Sequence, residues 1–195
     1  MNWVKFTPYK NAPKDPLGHD LGQIANVYLN EDKTLIKRTY NHIGVTVNNN
    51  PSEYSKDFIY DKWCREYKWL NEFNGMFFMP ELIDINFEEA WTIQRYYGPD
   101  LLTQGINTIP DIEDQVLKIY KFFKDRNVYK KNGSLSNMTH DNGRLITFDY
   151  KWMVERDEIH FSGNIDHHKN WEITSFELWL SKINPDLVPK LKALL

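Results

Sequence analysis

The chain has 195 residues, of which 41% are apolar, 15% aromatic and 26% charged, a composition that builds a buried core and excludes a disordered polymer. A net charge of -3 gives no general cationic attraction for nucleic acid or anionic lipid, and no stretch approaches the ~20 apolar residues of a spanning helix. The single cysteine, Cys64, excludes an internal disulfide, and MNWVKFTPYK lacks the apolar core of a secretory leader, so the expectation is a soluble cytoplasmic protein (host cytoplasm if the source is viral) without nucleic-acid or membrane partners.

Residues 1 to 20 carry Pro8, Pro13 and Pro16, which predicts an extended arm with one edge strand in WVKF. IANVYL and TLIKRTY read as two strands turning at Asn30-Glu31-Asp32-Lys33, a hairpin. The Asn-rich run that follows, ending in Pro51 and Ser52, suits a loop leading into a helix cap. From Ser55, Ile59, Trp63, Tyr67 and Leu70 recur at helical spacing and predict an amphipathic helix to about Phe73, ended by Asn74-Gly75. LIDINF and AWTIQRYY form a second strand pair turning at Glu88-Glu89, and Gly98-Pro99-Asp100 breaks it. Asp111 is the predicted N-cap of a helix that carries Val116, Ile119, Tyr120 and Phe123 on one face and runs to about Arg126. Short strands near NMTH and RLITF flank Asp141-Asn142-Gly143, the residues of a tight hairpin turn. Phe176, Trp179, Leu180 and Ile183 predict a further helix, and a last short one follows Pro185. No internal repeat is present.

Asp149 closes an apolar strand and is followed by Tyr150 and Trp152, and a carboxylate buried there requires a partner or a metal. Taken singly, Gly22 is a turn residue, Lys37 a solvated strand lysine, Glu66 a helix-surface acid and Asn137 a turn residue. His160 and His167-His168 have no metal-ligand spacing, and Cys64 has no histidine near it in sequence to activate it.

The order hairpin, helix, hairpin, hinge, helix, hairpin, helix resembles the protein-kinase-like superfamily over residues 21 to 152. The resemblance implies an α+β, two-lobed fold: an N-terminal arm (1–20), a small antiparallel-sheet N-lobe (21–97) and a truncated, mostly helical C-lobe (98–195). LGQIANVY resembles a shortened glycine-rich turn, which assigns Gly22, Ala25 and Val27 to the ATP phosphates. TLIK resembles the family's V-A-I-K, so Lys37 is expected to pair with phosphates and to be held by Glu66 of REYKWLNEF. WTIQRYYGPDLL is similar to the strand and hinge that read the adenine edge; Ile93 becomes the gatekeeper, and Gln94 and Tyr96 join the nucleotide site. FDY resembles D-F-G and Asn137 the catalytic-loop asparagine, so Asn137 and Asp149 are the implied Mg²⁺ ligands.

The pattern departs from the family where the base belongs. Counting back five residues from Asn137 in H-R-D-x-x-x-x-N gives Asn132, and a shortened loop in which Gly133-Ser134-Leu135 stands for G-D-L gives Ser134; neither is an acid. After Asp149, DYK lacks the glycine and no A-P-E follows. The chain is thus similar to minimal, atypical kinase-like proteins such as those of phages and bacteria. Two functions follow from the resemblance: an ATP- and Mg²⁺-dependent phosphotransferase or nucleotidyl transferase, with the acceptor hydroxyl placed by Asn132 or Ser134, or a pseudokinase whose surface binds a protein partner. The alternative from another class is a non-catalytic α+β protein–protein interaction protein that binds no nucleotide.

Overall fold

The computed structural model describes residues 1–6, 25–40, 56–105, 109–130, 135–156 and 185–194. Gly22, Asn132, Ser134, the three C-terminal histidines and the helix expected over Phe176 to Ile183 lie outside the described residues. The chain forms two compact units, Met1–Gly75 with Pro80–Tyr96, and Met76–Met79 with Tyr97–Leu195.

The first unit is a five-stranded sheet, all of whose pairings are antiparallel. Its strands are β1 (Trp3–Lys5), β2 (Asn26–Asn30), β3 (Leu35–Thr39), β4 (Leu82–Asn86) and β5 (Trp91–Arg95), in the order β1-β2-β3-β5-β4. The edge strand expected in WVKF is present: β1 pairs with β2 in the register Trp3 to Asn30, Val4 to Leu29 and Lys5 to Tyr28. Both predicted hairpins form. The β2–β3 turn is fixed by Asn30, whose side-chain oxygen accepts from the Thr34 and Leu35 amides, each at 2.9 Å. That bond pattern explains why a polar turn here sets the register.

Helix α1 (Lys56–Glu72) has no internal proline or glycine to interrupt it. Its buried stripe runs Ile59, Trp63, Glu66, Leu70 and Phe73, spacings of four, three, four and three that mark one helical face. Tyr67, expected on that stripe, lies at its flank and is half-buried, with its ring 4.8 Å from that of Phe87. Trp63 anchors the helix: its indole donates to the Phe87 carbonyl at 2.9 Å, and its ring lies 5.2 Å from Tyr40. An aromatic with one polar contact secures apolar burial and orientation together.

The second unit contains α2 (Leu101–Gln104), α3 (Ile112–Asp125), β6 (Val128–Lys130), β7 (Met138–Asp141), β8 (Arg144–Thr147), β9 (Met153–Glu155) and α4 (Leu187–Lys192). Helix α3 buries Ile112, Val116, Ile119, Tyr120 and Phe123, the predicted face with Ile112 added. Asp111 does not cap it as expected: the residue is left-handed, with φ 50°, and its side chain makes no cap hydrogen bond. Acidic Glu113 and Asp114 in the first turn instead complement the helix dipole. Phe78 is fully buried, with its ring 4.9 Å from Phe122 and 5.2 Å from Phe123.

Strands β7 and β8 form the expected hairpin, and Asn142 and Gly143 take φ of 50° and 88° at its turn. Positive φ at both central residues matches the twist of the flanking strands. The strands β6 and β9, which have no pattern signal of their own, pair antiparallel from Val128 to Glu155 through Lys130 to Met153. No described helix is long and apolar enough to cross a membrane.

Candidate functional site

Side chains on a strand alternate between faces, so pairing decides which residues meet. In β3 and β5, Arg38 stands opposite Thr92 and Ile36 opposite Gln94, while Lys37 stands opposite Ile93. Val27 of β2 is opposite Arg38. One face of the sheet therefore carries Val27, Ile36, Arg38, Thr92 and Gln94, and the other carries Tyr28, Lys37, Ile93 and Trp91.

That division separates residues that were expected to meet. Lys37 does not pair with Glu66: its ammonium lies over the Trp91 ring at 4.8 Å and the Trp3 ring at 6.0 Å, a cation–π arrangement on the opposite face. Glu66 is instead met by Arg38, Nη1 to Oε1 at 3.5 Å, with side-chain exposures of 12% for Arg38 and 0% for Glu66. The physical cause is a shift of one residue, which sends a strand side chain to the other face. For the same reason Gln94, only 2% exposed, shares the Arg38 face where Ile93 was expected as gatekeeper. Ala25 is buried just before β2. The Tyr96 amide is committed to the Thr34 carbonyl at 2.8 Å, with its ring 6.2 Å from Phe6.

The Arg38 face is unusually polar for a buried surface. Glu66 Oε2, Thr92 Oγ1, Gln94 Nε2 and the Tyr40 hydroxyl are buried with no hydrogen-bond partner among the described residues. Most buried polar groups are paired, so a cluster that is not marks strain or a place for a ligand. Burial first, then the Glu66 charge, raises the Tyr40 phenol well above its ordinary value, against the opposing influence of Arg38.

In the second unit, Asn137 and Asp149 are brought to one end of the β7–β8 hairpin. Met138 pairs with Thr147, and the ladder continues with the Phe148 amide donating to the Asn137 carbonyl at 3.0 Å. Each of Asn137 and Asp149 is 8% exposed. Asp149 is left-handed, with φ 67° and ψ 64°, a conformation that costs a residue with a Cβ about 1–2 kcal/mol and therefore needs support.

Support comes from Lys130, which carries no functional signal in the sequence beyond being a basic residue near the expected loop. Its side chain is 1% exposed, its ammonium donates to the Phe148 carbonyl at 3.0 Å and the Asp149 carbonyl at 3.4 Å, and it lies 4.9 Å from the Tyr150 ring centre. The pairing of β6 with β9 places it there, a contact that sequence periodicity does not report. Tyr150 pins the following 3-10 turn through its hydroxyl, which donates to the Thr147 carbonyl at 3.0 Å.

The donor set fits Mg²⁺ poorly. Mg²⁺ takes near-octahedral oxygen ligands and depends on carboxylate charge, but the Asp149 carboxylate is ion-paired with the Lys151 ammonium, and the two side chains are 11% and 12% exposed. Among the described residues, no group of three or more His, Cys, Asp or Glu side chains is arranged to hold a metal. In this structure the Lys151 ammonium occupies the Asp149 carboxylate, so a metal held by Asn137 and Asp149 would have to displace it.

Comparison with solved structures places the fold. The chain is similar to monomeric WbdD, at 15% identity and TM-score 0.56, covering 100% of this chain and 48% of that one. It is similar to the bifunctional kinase-methyltransferase WbdD at 14% identity and TM-score 0.52, covering 99% and 46%. It also resembles the Rio2 kinase from Chaetomium thermophilum at 12% identity and TM-score 0.53, covering 95% and 62%. The chain thus spans about half to three-fifths of the length of these proteins. No family model and no curated protein matches the sequence. The fold is α+β and kinase-like.

Proposed function

We propose that this chain is a nucleotide-binding, kinase-like protein in which Arg38, not Lys37, engages the nucleotide phosphates. The observation that carries the reading is the Arg38–Glu66 pair, a nearly buried guanidinium held at 3.5 Å by a wholly buried carboxylate. A guanidinium offers donors in a planar fork that matches phosphate oxygens, and a fixed one loses little freedom on binding. The unpartnered Gln94 amide and Thr92 hydroxyl on the same face supply polar groups for the rest of the ligand. The kinase-like neighbours support the reading at the level of fold, and one of them is a complex with ADP and Mg²⁺.

Turnover is expected to be slow or absent. Neither Asn132 nor Ser134 can accept a proton as a carboxylate does, and general-base catalysis is worth about 10²–10⁴-fold. Positioning and electrostatics carry most phosphoryl-transfer acceleration, so a residual activity is compatible with the loss. Where transfer does occur, Asn132 or Ser134 would orient the acceptor hydroxyl; where it does not, the protein is a pseudokinase that acts through a protein partner.

The test is thermal unfolding with ATP. A ligand at 100 times its dissociation constant adds about 2.7 kcal/mol, roughly 5–11 °C for a chain of this size. The wild type and Lys37→Ala are expected to shift, and Arg38→Ala is not. Absence of a shift at millimolar ATP, with and without Mg²⁺, would sink the reading and leave the interaction-protein alternative. Transfer from γ- and α-labelled ATP then separates an enzyme from a pseudokinase.

A further inference from the structure

The sheet face opposite Arg38 carries chemistry that nucleotide binding at Arg38 does not use. Lys5, Tyr28, Lys37 and Ile93 stand side by side across four strands, and Trp3 and Trp91, two residues before Lys5 and Ile93, share their face. None of the six is buried: Lys5 is exposed and the others are half-buried. Helix α1 meets the sheet on the other side, through Glu66 and Arg38. The Lys37 ammonium lies close to two indoles, 4.8 Å from the Trp91 ring centre and 6.0 Å from that of Trp3. The acids that border the face are engaged: Glu81 pairs with Arg95 at 2.5 Å, Glu89 accepts from the Trp91 indole at 2.7 Å, and Asp84 accepts from the Ile85 amide at 2.8 Å. Neither Lys5 nor Lys37 has a carboxylate partner among the described residues.

We propose that this face binds single-stranded nucleic acid, with bases stacked on Trp3 and Trp91 and the Lys37 ammonium on a phosphate between them. The net charge of -3 belongs to the whole chain, whereas a phosphate responds to charges within about 8 Å at physiological salt. Two rings about one cation match the order base, phosphate, base along a strand, and stacking on an aromatic ring is open to every base because each has a π-face. Lys5, exposed in the same row, is placed for a neighbouring phosphate. A duplex keeps its bases stacked on one another and offers the indoles nothing, so the single strand is the form selected. An acidic peptide would satisfy the two lysines and leave the indoles without a stacking partner. The inference is independent of nucleotide binding on the Arg38 face.

The test titrates the full chain into a fluorescein-labelled oligo-dT of about 12 nucleotides, within the range of one binding domain, and reads anisotropy. An abasic strand of the same length, which keeps the phosphates and lacks the bases, and polyglutamate are titrated beside it. Oligo-dT is expected to bind with a dissociation constant of about 10⁻⁴–10⁻⁶ M at physiological salt, and about tenfold or more tighter than the abasic strand, the size of one stacked base. Trp91→Ala is expected to lose about tenfold for the same reason. Lys37→Gln is expected to reduce the slope of log affinity against log salt by about 0.7, the single-strand value for one phosphate. No binding of oligo-dT up to about 10⁻³ M, ten times the weakest expected constant, overturns the proposal. So does equal affinity for the abasic strand or for polyglutamate, and neither comparison depends on a variant that folds. An unchanged salt slope in Lys37→Gln overturns the placing of the phosphate on Lys37.

Discussion

Removing the Arg38 guanidinium leaves the Glu66 carboxylate stranded in the core of the first unit. Glu66 is fully buried, its Oε1 meets Arg38 at 3.5 Å, and its Oε2 has no hydrogen-bond partner among the described residues. Breaking a buried pair from one side costs about 3–5 kcal/mol, because the remaining charge is uncompensated. The contact is long for an ion pair and Arg38 retains 12% exposure, so the lower end of that range, about 3 kcal/mol, is expected for Arg38→Ala. At roughly 2–4 °C per kcal/mol the melting temperature falls by about 6–12 °C. Replacing both partners, as Arg38→Met with Glu66→Leu, removes the stranded charge, and stability is expected to return to within about 1 kcal/mol of wild type. Lys37→Ala loses a cation–π contact on the other face and is expected to cost about 0.5–1 kcal/mol. Urea unfolding followed by tryptophan fluorescence, with midpoints compared at equal slope, gives these values. The assignment of Arg38 fails if Lys37→Ala costs as much as Arg38→Ala, or if the double variant is less stable than Arg38→Ala alone.

Tyr40→Phe removes a buried hydroxyl with no hydrogen-bond partner among the described residues, and chemical denaturation is expected to give a gain of about 1 kcal/mol. Because the Tyr40 phenol is raised above its usual range, the folded protein holds its proton while the unfolded chain loses it. Wild-type stability should therefore fall as pH rises through about 10, the ordinary tyrosine value, and melting curves from pH 8 to 11 should show a smaller fall for Tyr40→Phe. Gly143→Ala places a Cβ 2.9 Å from the Pro110 ring at a φ of 88°, and a loss of about 1–2 kcal/mol is expected in thermal unfolding. For Asp61, burial pushes the carboxyl up, but hydrogen bonds and charge from Lys62 and Arg65 outweigh it and hold it below its usual value. The stabilisation it gives is present above the ordinary carboxylate range and is lost as pH falls through the depressed folded value. Asp61→Asn should flatten the acid limb of a pH–stability curve between about pH 5 and 2, by a small amount because the group is half exposed.

Local pattern was enough for the three hairpins and for α1 and α3, but not for α2, β6 or β9. Alternating apolar residues, the Asn30 and Asn142-Gly143 turns and the stripe on α3 are local signals, and each formed where its pattern lies, within a residue or two at the ends. Local pattern also exposed the missing acid at Asn132 and Ser134, because residue identity alone decides whether a proton acceptor is present. Asp111 misled because a left-handed backbone at that position turned an apparent cap residue away from its role. Glu66 escaped the helical stripe because a charged residue does not register as part of an apolar period, even when it is wholly buried.

Tertiary structure decided which side chains meet. Lys37 and Arg38 are neighbours in sequence and both basic, and only the pairing of β3 with β2 and β5 sends Arg38 to the Glu66 side and Lys37 to the tryptophans. The β6–β9 pairing joined Lys130 to the backbone at Asp149, a contact between segments with no shared period. The 3-10 turn after Asp149 laid Lys151 on the carboxylate that the motif reserved for a metal. Charge type is written in the sequence, but the distance and burial that set one cation against a carboxylate, another on backbone carbonyls and a third over a tryptophan ring arise only when the chain is folded.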